Sequence, residues 1–335
     1  MELPVLKGSS VLTHSRFECF KACPRMHYLR YELGVRRDDV DRKLRIGQNV
    51  HLGLELLDKG ISLEDVCEQI RSNYAEIPPW VDDKADWEEE CEICIRLLCG
   101  HHWRYEADTL ECVASELQFE IPILNPATEY ASTIWMLAGK IDRIVKLPDG
   151  RLAVQEYKTC QEDLSQDSDY WRRLRIDQQI SLYVLAARAL DYAIDTVLYD
   201  VIRKPTLQRY RTTPLENRKY TKDGRLYANQ RERDETPEEY GDRITQDMGK
   251  RPDFYFARME IPRLDQDLEE FRWELWQQQQ AIRESQKSGR WFRNTSRCFK
   301  PYTCEFVDIC LNAVDPTNGL PNGFVRSETI HPELE

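Results

Sequence analysis

The stretch GKIDRIVKLPDGRLAVQEYKT, residues 139–159, limits the folds open to this chain more than any other. Pro148-Asp149-Gly150 is a turn signal between two alternating apolar runs, so the stretch reads as a β-hairpin. A loop of those three residues sets Leu147 opposite Arg151 and therefore Asp142 opposite Glu156. Directly opposed residues have β-carbons about 4.5–5.5 Å apart. Strand alternation then puts Lys158 on the face that carries Glu156. A loop of only Asp149-Gly150 would slip the register by one residue and disperse the trio.

Opposed carboxylates repel one another unless a positive charge lies between them. A divalent cation with oxygen ligands meets that need, since Mg²⁺ commonly takes one or two carboxylates with waters and phosphate oxygens. Lys158 then fits a group that orients or deprotonates an attacking water and stabilises charge on a phosphate. The plainer alternative is a surface hairpin with an Asp, a Glu and a Lys in loose ion pairs.

Three further segments surround this hairpin. Gly47, His51 and Glu55 fall on one face of a helix over roughly 40–59, at i, i+4 and i+8. Taken alone, a helical histidine is more often a half-buried side chain than a ligand. Gln179 and Tyr183 share a face of a long helix predicted over 170–192. Glu116 and Phe119 lie on a strand predicted over 111–121.

Together these segments resemble the PD-(D/E)xK nuclease superfamily in its RecB-like branch, with CRISPR-associated RecB-like exonucleases and the AddB nuclease domain among its members. The resemblance covers about 20–205 and the cysteine tail. It implies Asp142 and Glu156 as metal ligands, Lys158 as the catalytic lysine and the Tyr157 carbonyl as a backbone ligand. Gly47-x-x-x-His51-x-x-Leu54-Glu55 resembles the helix whose histidine joins the metal. Gln179-x-x-x-Tyr183 resembles the helix that contacts the substrate strand, and Glu116-x-x-Phe119 resembles the first core strand, with a structural role. The fold implied is an α/β restriction-endonuclease-like core, a central mixed sheet flanked by helices, with helical decoration and a C-terminal cysteine clip. The implied activity is a DNA exonuclease using Mg²⁺ or Mn²⁺, in repair, recombination or CRISPR adaptation, with relatives encoded by phages. Two other readings are a non-catalytic DNA-binding or scaffolding protein of the same fold and an RNA-directed nuclease. The chain has no G-x-x-x-x-G-K-[ST] motif, so ATP-driven unwinding would fall to a partner helicase.

The eleven cysteines raise a second question. The RecB-like branch often binds a [4Fe-4S] cluster through one N-terminal and three C-terminal cysteines. By that resemblance Cys23, Cys298, Cys304 and Cys310 are the ligands, four thiolates being the usual count. The sequence departs from the common pattern in the gap from Cys298 to Cys304, which holds five residues, Pro301 among them, where two are usual. Cys19 is a substitute for Cys23, zinc a substitute for the cluster, and buried free thiols the plain alternative. The tail offers few apolar residues, so little besides such a clip is expected to hold it. Cys91, Cys94 and Cys99 read as packing residues of a helix over 85–107.

The remaining organisation follows from pattern. One nuclease domain is expected: an N-terminal helical part (13–110), a core (111–203), an irregular insertion or mobile arm with a returning strand (204–262), and a C-terminal helix with the cysteine tail (263–335). A strand is predicted over 253–261. The net charge of −12 argues against coating nucleic acid by bulk attraction. Local patches at Arg36, Arg37, Arg42, Lys43 and Arg45, at Arg172, Arg173 and Arg175, and at Arg203, Lys204, Arg209 and Arg211 are the candidate contacts, or simply solvated faces. With no long apolar run and no signal-peptide pattern at the start, a cytoplasmic location and no membrane partner are expected.

Overall fold

In this computed structural model, which describes residues 10–38 and 41–334, helices cover both faces of one six-stranded mixed sheet. β1 (Val11–Leu12) leads into α1 (His14–Ala22), where the Thr13 side chain caps the Arg16 N–H. Pro24 opens the short α2 (Pro24–His27), a π-turn follows, and β2 (Val35–Arg37) ends the segment. Next come α3 (Arg42–Asp58), α4 (Leu63–Asn73) and α5 (Lys84–Arg104), capped by Asp41, Ser62 and Asp83. β3 (Glu111–Leu124), β4 (Ala131–Lys146) and β5 (Leu152–Cys160) run antiparallel to one another in turn. α6 (Asp169–Leu174) and α7 (Gln178–Ala189) cross over to β6 (Ile194–Arg203), which lies parallel to β5. α8 (Pro237–Lys250), α9 (Pro252–Tyr255), β7 (Phe256–Pro262) and α10 (Asp265–Ser288) follow. α11 (Val307–Leu311) and β8 (Phe324–Arg326) lie in the tail. No helix among the described residues is long and apolar enough to cross a membrane.

One sheet face packs on α1, α6, α7 and α10 through residues such as Phe17, Trp171, Ile180 and Leu275. The other packs on α3, α4, α5 and α8 through Val50, Ile70, Leu97 and Ile244, with Tyr157 and Ile202 from the sheet. The carboxylate hairpin therefore sits at the centre of a three-layer α/β/α stack, held from both sides.

The hairpin has the expected three-residue loop. The Leu147 N–H donates to the Arg151 carbonyl at 2.8 Å, and pairing continues through Lys146–Leu152 to Arg143–Gln155. It stops there, one position before Asp142 and Glu156. β3 pairs β4 along that strand's length, so β1 and β5 must share its opposite edge, β1 at Met136–Leu137 and β5 from Arg143 onward. The β3–β4 pairing also skips the position where Glu116 would face Asp142. Glu116 has φ 50°, a left-handed conformation uncommon for a residue with a side chain. Asp142 thus lies at a break in the ladder on both edges.

Three expectations need correction. The helix expected over 170–192 is two helices, because the Asp177 carboxylate caps the Gln179 N–H and starts α7 afresh. Ile176, expected on its apolar side, falls in the break and is 86% exposed. The strand expected from 253 begins only at Phe256, since Pro252 opens α9. The tail is not short of anchors. Phe306, Ile309 and Phe324 pack on Leu29, Leu33 and Val35, β8 pairs antiparallel with β2, and Ile330 is fully buried. Each such side chain contributes about 1.5–3 kcal/mol, which joins the chain ends without the cysteines. The arm after Arg203 is irregular as expected, yet it is fastened at many points. Arg209 is buried against Asp86, and Arg218 donates to the Thr213 and Glu232 carbonyls.

Candidate active site

Asp142, Glu156, Lys158 and His51 come together in this structure at the ladder break. With no β4 carbonyl in register, the Tyr157 N–H donates instead to Asp142 Oδ2 at 3.0 Å. α3 brings His51 Nδ1 within 3.9 Å of the same oxygen. Gly47, one turn earlier, faces Thr159; a β-carbon there would sit 3.1 Å from the threonine hydroxyl, so the glycine lets α3 approach β5. Gly139 has a similar use, since the Phe119 ring lies where its β-carbon would be.

Glu156 is 2% exposed. Its Oε1 pairs with the Lys158 ammonium and accepts from Tyr183 Oη at 3.3 Å. Gln179 Nε2 in turn donates to Tyr183 Oη at 2.9 Å. The Gln179–Tyr183 pair therefore buttresses the carboxylate from α7, and burial holds the Tyr183 phenol well above its usual pKa. Glu156 Oε2 is buried with no hydrogen-bond partner. Burial, then the Asp142 charge, push the Glu156 carboxyl up to about 8 despite Lys158. Burial disfavours the Lys158 ammonium, but Glu156 and Asp142 outweigh it and its pKa is raised. Burial lowers the His51 pKa against the pull of Asp142, and Lys158 adds to the lowering.

An orphaned, desolvated carboxylate oxygen beside a second carboxylate fits a cation that takes oxygen ligands. Among the described residues, no three His, Cys, Asp or Glu side chains are arranged as a formed metal site.

Tyr157 is anchored from the opposite face. Arg143 Nη1 donates to the Tyr157 hydroxyl at 2.9 Å and to Gln155 Oε1 at 3.1 Å, and pairs with Asp58 at 3.3 Å. Burial pushes the Asp58 carboxyl up to about 6 against the pull of Arg143. The hairpin motif contains Arg143, but nothing local announces Asp58 as its partner. His14 and Asp177, also unforeseen, lie within electrostatic range of Lys158.

Most of the basic patches are neutralised internally. Arg42 is paired with Glu89, Arg45 with Glu90, Arg172 with Asp169, Arg173 with Glu162, and Arg209 and Arg211 with Asp86. Arg36 donates to the Ile330 carbonyl, and Arg37 and Arg203 lie over aromatic rings. Lys43 and Lys204 make no ion pair among the described residues, and Lys204 Nζ donates to the Lys43 carbonyl at 2.6 Å.

At the other end of the chain, Cys23, Cys298, Cys304 and Cys310 are electrostatic neighbours. The Asn294 N–H points at Cys23 Sγ, 3.3 Å away. Cys19 is 3% exposed and burial pushes its thiol up to about 12, which makes it the poorer thiolate donor. Cys94 is fully buried in the α3–α5 core, as expected of a packing residue.

No curated protein sequence matches this chain. Among solved structures it is similar to a protein from Eubacterium rectale, an exonuclease by provisional assignment, at 13% identity and a TM-score of 0.44, over 92% of this chain and 95% of that one. It is also similar to the protein SSO0001, at 12% identity and a TM-score of 0.29, over 74% and 94%. Likenesses this distant carry little. The sequence family model is decisive, because it matches residues 11–311 and so spans α3, the carboxylate hairpin, α7 and the tail cysteines: this chain belongs to the PD-(D/E)XK nuclease superfamily.

Proposed function

We propose that this protein is a metal-dependent deoxyribonuclease of the RecB-like branch that degrades DNA from an end and carries a [4Fe-4S] cluster. The observation that carries the catalytic reading is the convergence of Asp142 and the orphaned Glu156 Oε2 at the ladder break, with Lys158 alongside. Action on DNA from an end, and work beside a helicase or a recombination or CRISPR-adaptation partner, rest on the motif resemblance.

Asp142, Glu156, His51 and the Tyr157 carbonyl would hold Mg²⁺ or Mn²⁺, which when bound polarises the scissile phosphate and lowers the pKa of a water. The chain's own residues do the rest. Tyr183 and Gln179 fix Glu156 in one rotamer. Lys158, about a third exposed, reaches from the Glu156 carboxylate toward solvent and holds the attacking water or the phosphate charge. The test is Mg²⁺-dependent digestion of end-labelled single- and double-stranded DNA, with RNA as a further arm. Asp142→Ala and Lys158→Ala are each expected to leave the fold intact and to remove cleavage, and His51→Ala to weaken metal affinity first. Near wild-type cutting by Lys158→Ala would remove the lysine from the mechanism.

The cluster rests on the motif resemblance, with the four thiols within electrostatic range of one another but not gathered as a formed metal site among the described residues. Protein purified without oxygen is expected to be brown, and Cys304→Ser or Cys310→Ser to bleach it. Because Phe306 and Phe324 anchor the tail separately, hydrogen exchange in β8 should stay protected in the bleached variants. Colourless wild-type protein with neither iron nor zinc by elemental analysis refutes the assignment.

A further inference from the structure

Two cavities open near Lys158 and the arm. The larger, about 680 Å³, is lined by Arg42, Arg209 and Arg211, which pair with Glu89 and Asp86 in the same wall, and by Lys43 and Lys204. The smaller, about 380 Å³, begins at Lys158 and runs out to Lys43, Lys204 and Tyr302. Its acidic groups are occupied: Asp177 caps α7 and Glu162 binds Arg173. Among the described residues its Lys43 and Lys204 make no ion pair, and buried Lys204 donates to the Lys43 carbonyl. Lys43 and Lys204 line both cavities, but only the smaller also reaches Lys158 and Tyr302. In a chain of net charge −12, these lysines beside the carboxylate centre make a local anion site.

Tyr302 supplies a second kind of contact. It is 74% exposed, and Lys43 Nζ lies over its ring, 5.4 Å from the centroid. It stands in the five-residue gap between Cys298 and Cys304, Phe-Lys-Pro-Tyr-Thr, the place where this sequence departs from the common cysteine spacing. Phe299 in the same loop is 60% exposed. The fold buries neither ring, although burial would stabilise it. An exposed aromatic beside lysines in the lining of a basic cavity matches the way proteins hold unpaired bases and their phosphates.

We propose that the Cys298–Cys304 loop is a base-stacking platform for a single nucleic-acid strand, with Tyr302 stacking one base and Lys43, braced by Lys204, holding an adjacent phosphate. The direction of the strand, running on toward Lys158, rests on the nuclease reading; the platform itself does not. A stack on Tyr302 needs an unpaired base, so a blunt duplex gains nothing from it.

The test is binding of a labelled oligothymidylate to the full chain in EDTA, followed by fluorescence anisotropy so that no cleavage is needed. Tyr302→Ala is expected to weaken binding about 5- to 100-fold, while Tyr302→Phe binds like wild type. Lys43→Ala is expected to weaken binding and to reduce the slope of log affinity against log salt by about 0.7. Blunt duplex binding should not change in Tyr302→Ala. Wild-type affinity in Tyr302→Ala, an equal loss in Tyr302→Phe, or an equal loss for duplex overturns the platform. Cleavage is assayed separately. A wild type that shows this binding pattern yet never cuts refutes the nuclease reading and leaves the platform standing. A wild type that cuts while Tyr302→Ala binds unchanged refutes the platform alone.

Discussion

Glu156→Gln is expected to lower cleavage roughly a thousandfold and, in the metal-free protein at pH 8, to make the fold more stable. The second effect follows from linkage. The folded carboxyl titrates near 8, against an ordinary value of 4.5. Between those values the folded protein holds a proton that the unfolded chain has released, so raising the pH favours unfolding. The penalty is absent below the unfolded pKa and complete once the pH has risen through the folded one. Glutamine keeps the shape and does not titrate. Its stability relative to wild type should therefore rise by about 2–4 kcal/mol between pH 5 and pH 8. Urea denaturation in EDTA at the two pH values measures the difference. Saturating Mg²⁺ should then favour the wild type, whose carboxylate gains a cation that glutamine holds poorly. A gap between wild type and variant that does not change with pH would show that Glu156 is already ionised and satisfied in the metal-free fold.

The second large effect lies on β6, directly beside β5. Asp200 on β6 is fully buried and accepts hydrogen bonds from His101 at 3.0 Å, Gln155 at 2.8 Å and Arg258 at 2.7 Å. Burial alone would raise its pKa, but His101 and Arg258 outweigh burial and hold the carboxyl below the usual range. Arg258 also stacks on Tyr105, 3.5 Å from its ring centroid. One carboxylate thus ties α5, β5 and β7 to β6. Asp200→Ala removes the acceptor shared by His101, Gln155 and Arg258 and leaves Arg258 only its Asp108 pair, and breaking such a buried pair typically costs about 3–5 kcal/mol. The urea midpoint should fall accordingly, with Asp200→Asn losing less because it keeps one acceptor oxygen. A midpoint within about 0.5 kcal/mol of wild type in Asp200→Ala would mean that water replaces the carboxylate at little cost.

The hairpin register was legible because it is a local quantity. Loop length sets parity, parity sets faces, and Pro148-Asp149-Gly150 leaves one loop length compatible with Asp142 opposite Glu156. The helical spacing of Gly47, His51 and Glu55 was legible for the same reason. The helix break at Asp177 was legible in principle as an Asx cap, but the apolar period running through Ile176 pointed the other way. The tail was misjudged because Phe306, Ile309 and Phe324 are spread too widely to form a periodic pattern. They make a core only when Leu29, Leu33 and Val35 from the far end of the chain lie against them.

Sequence alone determined which residues could face one another across the hairpin, since that depends on the period of a strand and the length of a turn. Only the tertiary structure decided that the ladder ends at Asp142 and Glu156. That break needs β1 and β5 to share one edge of β4, and Glu116 to turn left-handed on the other. It likewise decided which positive charges remain available. Arg42 and Lys43 are neighbours in sequence and equally basic, yet α5 brings Glu89 to the first, while the second lies over the Tyr302 ring with no ion pair among the described residues. Pairing of charges is a contact between distant segments, and strand or helix periodicity carries no information about it.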